Sequence, residues 1–264
     1  MKLSIVIPLY NEEVILWDMI NRIAEGCDKI IGMGDWQFIL VNNGSADNTQ
    51  KLIDDIARRW KNTLTIFVRN PNYGKALREG IEASEADFIH VINIEQWDLM
   101  FLAWSWDNRD KYNLILGSKR ADPTTNHQSK YRRILSWGLN TFLNLLFEYP
   151  GADTHGPKFF NRRAMESILH SCVMDRGQYD TEMTIRALRE GLTLAECPSE
   201  YIEYRKPRNL MVKKICWNII AIIRMWIVLR KIRYKSYVKL YRFTRYELIE
   251  SSRKYSVCMQ KSIF

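Results

Sequence analysis

The chain has 264 residues, 47% of them hydrophobic, enough to bury the core of one large α/β domain with an appendage, which excludes a disordered chain. Its net charge of +9 is unevenly divided: residues 205–264 hold sixteen Lys or Arg against two acids, a balance of +14, leaving −5 for residues 1–204. An anionic partner, either a membrane surface or nucleic acid, is therefore expected for the tail alone. Five scattered cysteines (Cys27, Cys172, Cys197, Cys216, Cys258), with no Cys-x-x-Cys pair and no metal-ligand spacing, read as reduced, mostly buried thiols.

The first apolar run, Leu3 to Tyr10, is broken by Pro8 and has no basic stretch ahead of it, unlike a secretory leader, so the N-terminus is expected in the cytoplasm. Strand and helix signals then alternate: strand 3–8, helix about 11–26, strand 37–42, helix 47–60, strand 63–68, helix 73–84, strand 87–92. That alternation predicts an α/β fold with a mostly parallel sheet and helices on both faces. A fifth strand, 114–116, ends at Gly117-Ser118-Lys119-Arg120, and the polar stretch 121–129 is expected to be a mobile loop. There is no internal repeat.

Residues 131–147 place Tyr131, Ile134, Leu135, Leu139, Phe142, Leu143 and Leu146 on one helical stripe, with Trp137, Leu145 and Phe147 elsewhere and Lys130, Arg132 and Arg133 at the start. The pattern fits an interfacial helix with its cations near lipid phosphates, and equally a buried packing helix. Residues 215–229 are apolar except for Asn218 and Arg224, and Lys213, Lys214, Arg230, Lys231 and Arg233 flank them. A spanning helix needs about 20 apolar residues, and a central Arg costs about 3 kcal/mol, so this helix is expected to lie in the interface plane, on anionic lipids. Nucleic acid is not expected, because no binding motif accompanies the charge.

The first strand stops near Pro8 and Tyr10 and opens into the acidic helix start Asn11-Glu12-Glu13; the second runs into the polar turn Asn42-Asn43-Gly44-Ser45-Ala46-Asp47. A turn at the carboxyl end of such a strand is where an open α/β sheet binds a nucleoside. An Asx-rich turn capping the next helix explains Asn43, Ser45 and Asp47 without a ligand. Lys75, after Gly74 at a helix start, suits a diphosphate or simply solvent.

These segments carry a resemblance. The ordered motifs SIVIPLYNEE at 4–13, VNNGSADNT at 41–49, NYGKALREGI at 72–81, GSKR at 117–120, DTHGPKFFNR at 153–162 and YDTEMTIRALREG at 179–191 resemble family-2 glycosyltransferases of the GT-A fold, in the dolichol- or polyprenyl-phosphate branch. The likeness runs from Leu3 to about Arg205. It implies a transferase domain at 1–205, with a nucleotide-binding half at 1–120 and an acceptor half at 121–205, followed by a membrane-associating helical segment at 206–264.

What the resemblance implies is specific. Pro8, Tyr10, Glu12, Asn42, Asn43, Lys75, Lys119 and Lys158 would hold the UDP- or GDP-linked donor. Asn42 and Asn43 stand where the family carries two aspartates, so the pairing with the base is weakened. Asn93 and Glu95 take the positions of the Asp-x-Asp motif that binds Mg²⁺ or Mn²⁺, with Asp98 nearby. Three outcomes follow: a weakened metal site, transfer in which Lys119, Arg120 or Lys158 neutralises the diphosphate, or a site that no longer reacts. Asp153 would hold sugar hydroxyls, while His155 is read as structural rather than as a base. Asp180 and Glu182 would orient the acceptor or act as base, or else cap and favour the helix they begin. The expected activity is inverting sugar transfer to a polyprenyl phosphate by a protein held peripherally on the inner leaflet. Transfer to a saccharide hydroxyl and noncatalytic binding of sugar nucleotides are the rivals.

Overall fold

A computed structural model describes residues 1–121, 130–200, 211–230, 240–252 and 255. All but the first residue of the expected mobile loop 121–129, the side chains of the basic residues flanking the two apolar helices (Arg230 apart), Cys216, Cys258 and the boundary near Arg205 lie outside the described residues.

Among the described residues, eight strands form one sheet in the order β3-β2-β1-β4-β6-β5-β7-β8. Third from the β3 edge is β1 (Leu3–Leu9), whose seven residues LSIVIPL are all buried, as an apolar run covered on both faces should be. β1 pairs in parallel with β2 (Trp36–Asn42) and β4 (Phe88–Val91), and β2 pairs in parallel with β3 (Thr63–Phe67) at the edge. β6 (Lys158–Asn161) is the exception, antiparallel to both β4 and β5 (Leu114–Ser118). That reversal matters for the site, because β6 begins at the edge where its neighbours end. Lys158 and the loop before it therefore join the carboxyl ends of β1, β2, β4 and β5.

The crossover helices follow their apolar periodicity. α1 (Leu16–Ile30) buries Leu16, Met19, Ile20, Ile23, Cys27 and Ile30 on one face, and α2 (Thr49–Arg59) and α3 (Tyr73–Glu82) also fall where alternation predicted them. α4 (Leu99–Asp107) has no polar face to announce it: Phe101 to Trp106 are all buried, between α1 and the C-terminal helix α9 (Arg245–Ser252). α6 (Arg162–Ser171), α7 (Tyr179–Arg189) and β7 (Leu194–Pro198) complete the second half. Cys27, Cys172 and Cys197 are buried free thiols, as expected.

The tail departs from the expected appendage. β8 (Leu240–Arg242) adds to the sheet in parallel with β7, Leu194 opposite Leu240, and Leu248 of α9 is buried in the core. Phe243 sets its ring 4.6 Å from that of Trp104. The C-terminal part thus returns to finish the sheet after α8 (Met211–Leu229), which packs against α5 (Lys130–Phe147).

On α5 the packing reading holds for Leu143 and Phe147, which enter the core, while Trp137 and Leu145 stand exposed. On α8, Ile222, Met225 and Leu229 face inward, and Ile219, Ile220, Ile223, Trp226 and Ile227 face outward. Among the described residues no helix is long and apolar enough to cross a membrane.

Candidate functional site

β1 and β2 end side by side, Leu9 opposite Asn42, and the two loops that follow are laced together. Asn11, in the left-handed region at φ 55 that Asn tolerates best after Gly, gives its N–H to Ser45 Oγ (3.0 Å) and accepts from Ala46 N (2.8 Å). Glu12 N donates to Thr49 Oγ1 (2.8 Å), and Asn48 N donates to Glu13 Oε2 (3.0 Å). Asp47 accepts from Thr49 N (3.0 Å), an Asx turn one residue before the N-cap Asn48, whose own side chain makes no capping bond.

Asn42 and Asn43 are spent on the fold. Asn42 donates to Gln50 Oε1 (2.6 Å) and accepts from Ser45 N (2.9 Å), while Asn43 Oδ1 accepts from Asn72 N (2.7 Å). Neither amide oxygen is turned out toward a base. Pro8 is buried within β1, whereas Tyr10 keeps 39% of its surface exposed at the strand's end. Lys75 is also exposed, 3.5 Å from Glu79. The start of α3 is already filled: Asn72 Oδ1 accepts from Lys75 N and Arg176 N, and a Cβ on Gly74 would lie 2.6 Å from Arg176 N. Gly74 is thus a point of backbone contact, not a phosphate cradle.

After β4, Asn93 turns its amide nitrogen to Gln96 Oε1 (3.1 Å). Asp98 has no oxygen to spare. Its Oδ1 caps α4 through Met100 N (2.9 Å) and Phe101 N (3.1 Å), and its Oδ2 accepts from Glu200 N (2.9 Å). Asp98 is therefore not the supporting ligand expected from its position. Among the described residues, no three His, Cys, Asp or Glu side chains gather as a metal site. Glu95 and Asn93 offer one carboxylate and one amide oxygen. Mg²⁺ takes one or two protein carboxylates when phosphates supply the rest, so this pair fits an ion that arrives with a diphosphate, not a resident one.

The ionic centre lies where β6 begins. Lys158 Nζ, 1% exposed, sits 3.1 Å from Asp180 Oδ1 and donates to Gly156 O (3.0 Å). Asp180, 2% exposed in the first turn of α7, accepts through Oδ2 from Tyr73 OH (3.2 Å). Burial, and then the charge of Asp180, push the Tyr73 phenol well above its ordinary pKa, so it stays a neutral donor. Asp153, also buried, lies 3.8 Å from Lys119 Nζ and accepts from His155 N (3.0 Å). Burial alone would raise its pKa, but Lys119 and the bond to His155 hold the carboxyl below the usual value.

His155 is structural, as anticipated. Burial lowers its pKa, and the neutral ring donates Nε2–H to Gly177 O (3.1 Å) while Nδ1 faces Thr154 Oγ1 (3.1 Å), itself 2.9 Å from Thr181 Oγ1. Lys158 is more interior than expected: it holds Asp180 rather than presenting a cation to solvent.

Glu182 does not join this centre. Its Oε2 accepts from Val173 N (2.8 Å) and Met174 N (2.6 Å), and its Oε1 is held by Arg186 at 2.8 Å, so the whole carboxylate braces the loop after α6. The geometry corrects the expectation that it assists Asp180. Residues that sequence reasoning passed over include Tyr73, Thr154, Thr181 and Glu196. Glu196, fully buried on β7, accepts from Ala152 N (2.9 Å) and Asp153 N (3.1 Å) and pairs with Arg242 of β8 (3.4 Å). A lone acid inside an apolar strand was the signal that could have found it.

Residues 4–93 match the family model described as Glycosyl transferase family 2. Among curated proteins, the chain is 30% identical over 96 residues to undecaprenyl-phosphate 4-deoxy-4-formamido-L-arabinose transferase of Proteus mirabilis, 36% of this chain and 29% of that protein. It is 27% identical over 223 residues to a dolichyl-phosphate beta-glucosyltransferase of Trichomonas vaginalis, 76% of this chain and 66% of that protein. The chain thus spans less than two thirds of these relatives' lengths. Of solved structures, glucosyl-3-phosphoglycerate synthase from Mycobacterium tuberculosis, in complex with Mn²⁺, UDP-glucose and phosphoglyceric acid, superposes with a TM-score of 0.59 at 17% identity, over 85% of this chain and 79% of that one. The expected GT-A class of fold is the fold observed.

Proposed function

We propose that the chain, whose residues 4–93 match the family model of glycosyl transferase family 2, moves a sugar from a UDP- or GDP-linked donor to a polyprenyl phosphate. The observation that carries the choice of acceptor is the state of the two buried acids: Asp153 is paired with Lys119, and Asp180 with Lys158 and Tyr73. A saccharide hydroxyl needs a free general base, whereas a phosphate monoester is already ionised near neutral pH. The curated relatives named for polyprenyl-type phosphates support the same choice.

In this reading a phosphate oxygen attacks the anomeric carbon as its bond to the diphosphate breaks, which inverts the configuration in one step. Tyr10 offers its exposed ring to the base, beside the laced turn of residues 11–13 and 45–49. Asn93 and Glu95 would hold Mg²⁺ or Mn²⁺ brought in with the donor, an ion that neutralises the leaving diphosphate. Asp180, fixed by Lys158, orients the reacting groups. The outward apolar face of α8 and the +14 tail hold the protein peripherally on anionic lipid at the inner leaflet, near its acceptor.

The test is transfer of radiolabelled sugar from UDP- and GDP-sugars to a short polyprenyl phosphate in anionic vesicles, with wild type and Asp180→Asn. Wild type should form a lipid-linked sugar phosphate, and the variant should form it more slowly without losing it. Labelled saccharide made only by wild type would transfer the assignment to a hydroxyl acceptor. No product from any donor would end the proposal.

A further inference from the structure

Asp180 has one oxygen on a cation and the other on a phenol: Oδ1 lies 3.1 Å from Lys158 Nζ, and Oδ2 accepts from Tyr73 OH (3.2 Å). Tyr73 comes from far back in the chain, at the first residue of α3, and its place there is fixed. Asn72, just before it, caps α3 by accepting from Lys75 N (3.2 Å) and also takes Arg176 N (2.9 Å). Arg78, further along the same helix, donates to Cys172 O (2.8 Å) and lies 5.0 Å from the centre of the Tyr179 ring. α3 is thus pinned to the segment that leads into α7, and the phenol meets Asp180 with little freedom.

A phenol has one proton to give and an oxygen that accepts. The Tyr73 proton goes to Asp180, so whatever bonds to the oxygen has to be a donor. That group is the side chain of Asn93, which is hydrogen-bonded to Tyr73 and whose Nδ2 also donates to Gln96 Oε1 (3.1 Å). An amide nitrogen carries two hydrogens, and Gln96 and Tyr73 take one each. A carboxylate at 93, the group expected there from the resemblance, has no hydrogen for either and would set a second acid against the phenol that serves Asp180. Asn93 therefore makes a link that Asp cannot, from the end of β4 through the start of α3 to the first turn of α7. Both bonds use its nitrogen, not the oxygen assigned to the ion above.

We propose that Asn93 and Tyr73 are positioning residues that act through Asp180, the amide at 93 holding the phenol in register for the carboxylate. What Asp180 does in the reaction comes from the transfer reading above, on which this role rests; the link itself stands on geometry.

Chemical denaturation of the full chain, as wild type, Asn93→Ala, Tyr73→Phe and the double variant, tests the link. Each single change should lower the folding equilibrium constant about five- to tenfold, and the double should fall short of the product of the two by about fivefold, the worth of the one bond they share. Losses that simply multiply would overturn the proposal. Asn93→Asp should cost more than Asn93→Ala, because it turns an acceptor toward the phenol oxygen; an Asp variant as stable as wild type would overturn the proposal equally. In the transfer assay, Tyr73→Phe should lower kcat about five- to tenfold at an unchanged KM for the sugar nucleotide. A loss carried by KM alone would put Tyr73 on the donor and overturn its role through Asp180. Wild type that forms no product would end the transfer reading, a result distinct from the denaturation cycle, which decides the link without any substrate.

Discussion

Asp180 and Glu182 stand two places apart in one helical turn, yet only Asp180 belongs to the ionic centre. Successive residues of a helix are turned by about 100°, so the pair point about 200° apart, Asp180 toward Lys158 and Glu182 toward Arg186 and the loop at 173–174. A sequence motif names both acids because spacing along the chain does not say which face meets the cleft. Replacing Glu182 with Ala should cost about 3–5 kcal/mol in chemical denaturation, because it strands a nearly buried guanidinium and two amides; an unchanged midpoint would contradict its bracing role. Asn42 and Asn43 show the same limit. The sequence marks them as amides where acids are expected, but not that Asn43 reaches across to Asn72 and leaves the Asx turn before α2 to Asp47.

At the scale of elements, the first half of the fold is written in apolar periodicity: α2, α3 and β1 to β4 lie where alternation predicts, while α1 begins at Leu16, not at 11, because residues 11–13 are held in the turn laced to 45–49. α4 escapes that reading because two helices cover it and no polar stripe survives. β8 escapes because three residues carry no period. It is nonetheless the element that reaches back to the site: Arg242 pairs with Glu196 and donates to Pro150 O, on either side of the segment that presents Asp153. Arg242→Ala should lower the melting temperature, because it leaves the fully buried Glu196 carboxylate without that ion pair, and should speed amide exchange severalfold at Ala152 and Asp153. Unaltered exchange there would mean that Glu196 holds the segment unaided.

For the whole molecule, the charge division foretold an unusual tail but not that it re-enters the sheet. Deleting residues after about 205 would remove β8, α9 and part of the core together with any lipid contact, so truncation cannot isolate membrane binding. Ile220, Ile223 and Ile227 on the outer face of α8 can. Each apolar side chain contributes about 1.5–3 kcal/mol when fully buried, so changing all three to Ser should move the protein from the floating to the bottom fraction with anionic liposomes, with folding intact. Equal flotation would remove α8 from the interface.

The contact between Gly117, at the end of β5, and Gly156, before β6, is made through bare backbone. Their loops, which are far apart in sequence, therefore behave as one heritable part. An engineer grafting this corner from another protein would have to transplant Gly117-Ser118-Lys119 and Gly156-Pro157-Lys158 together, because either loop alone would arrive without the surface it was shaped to meet.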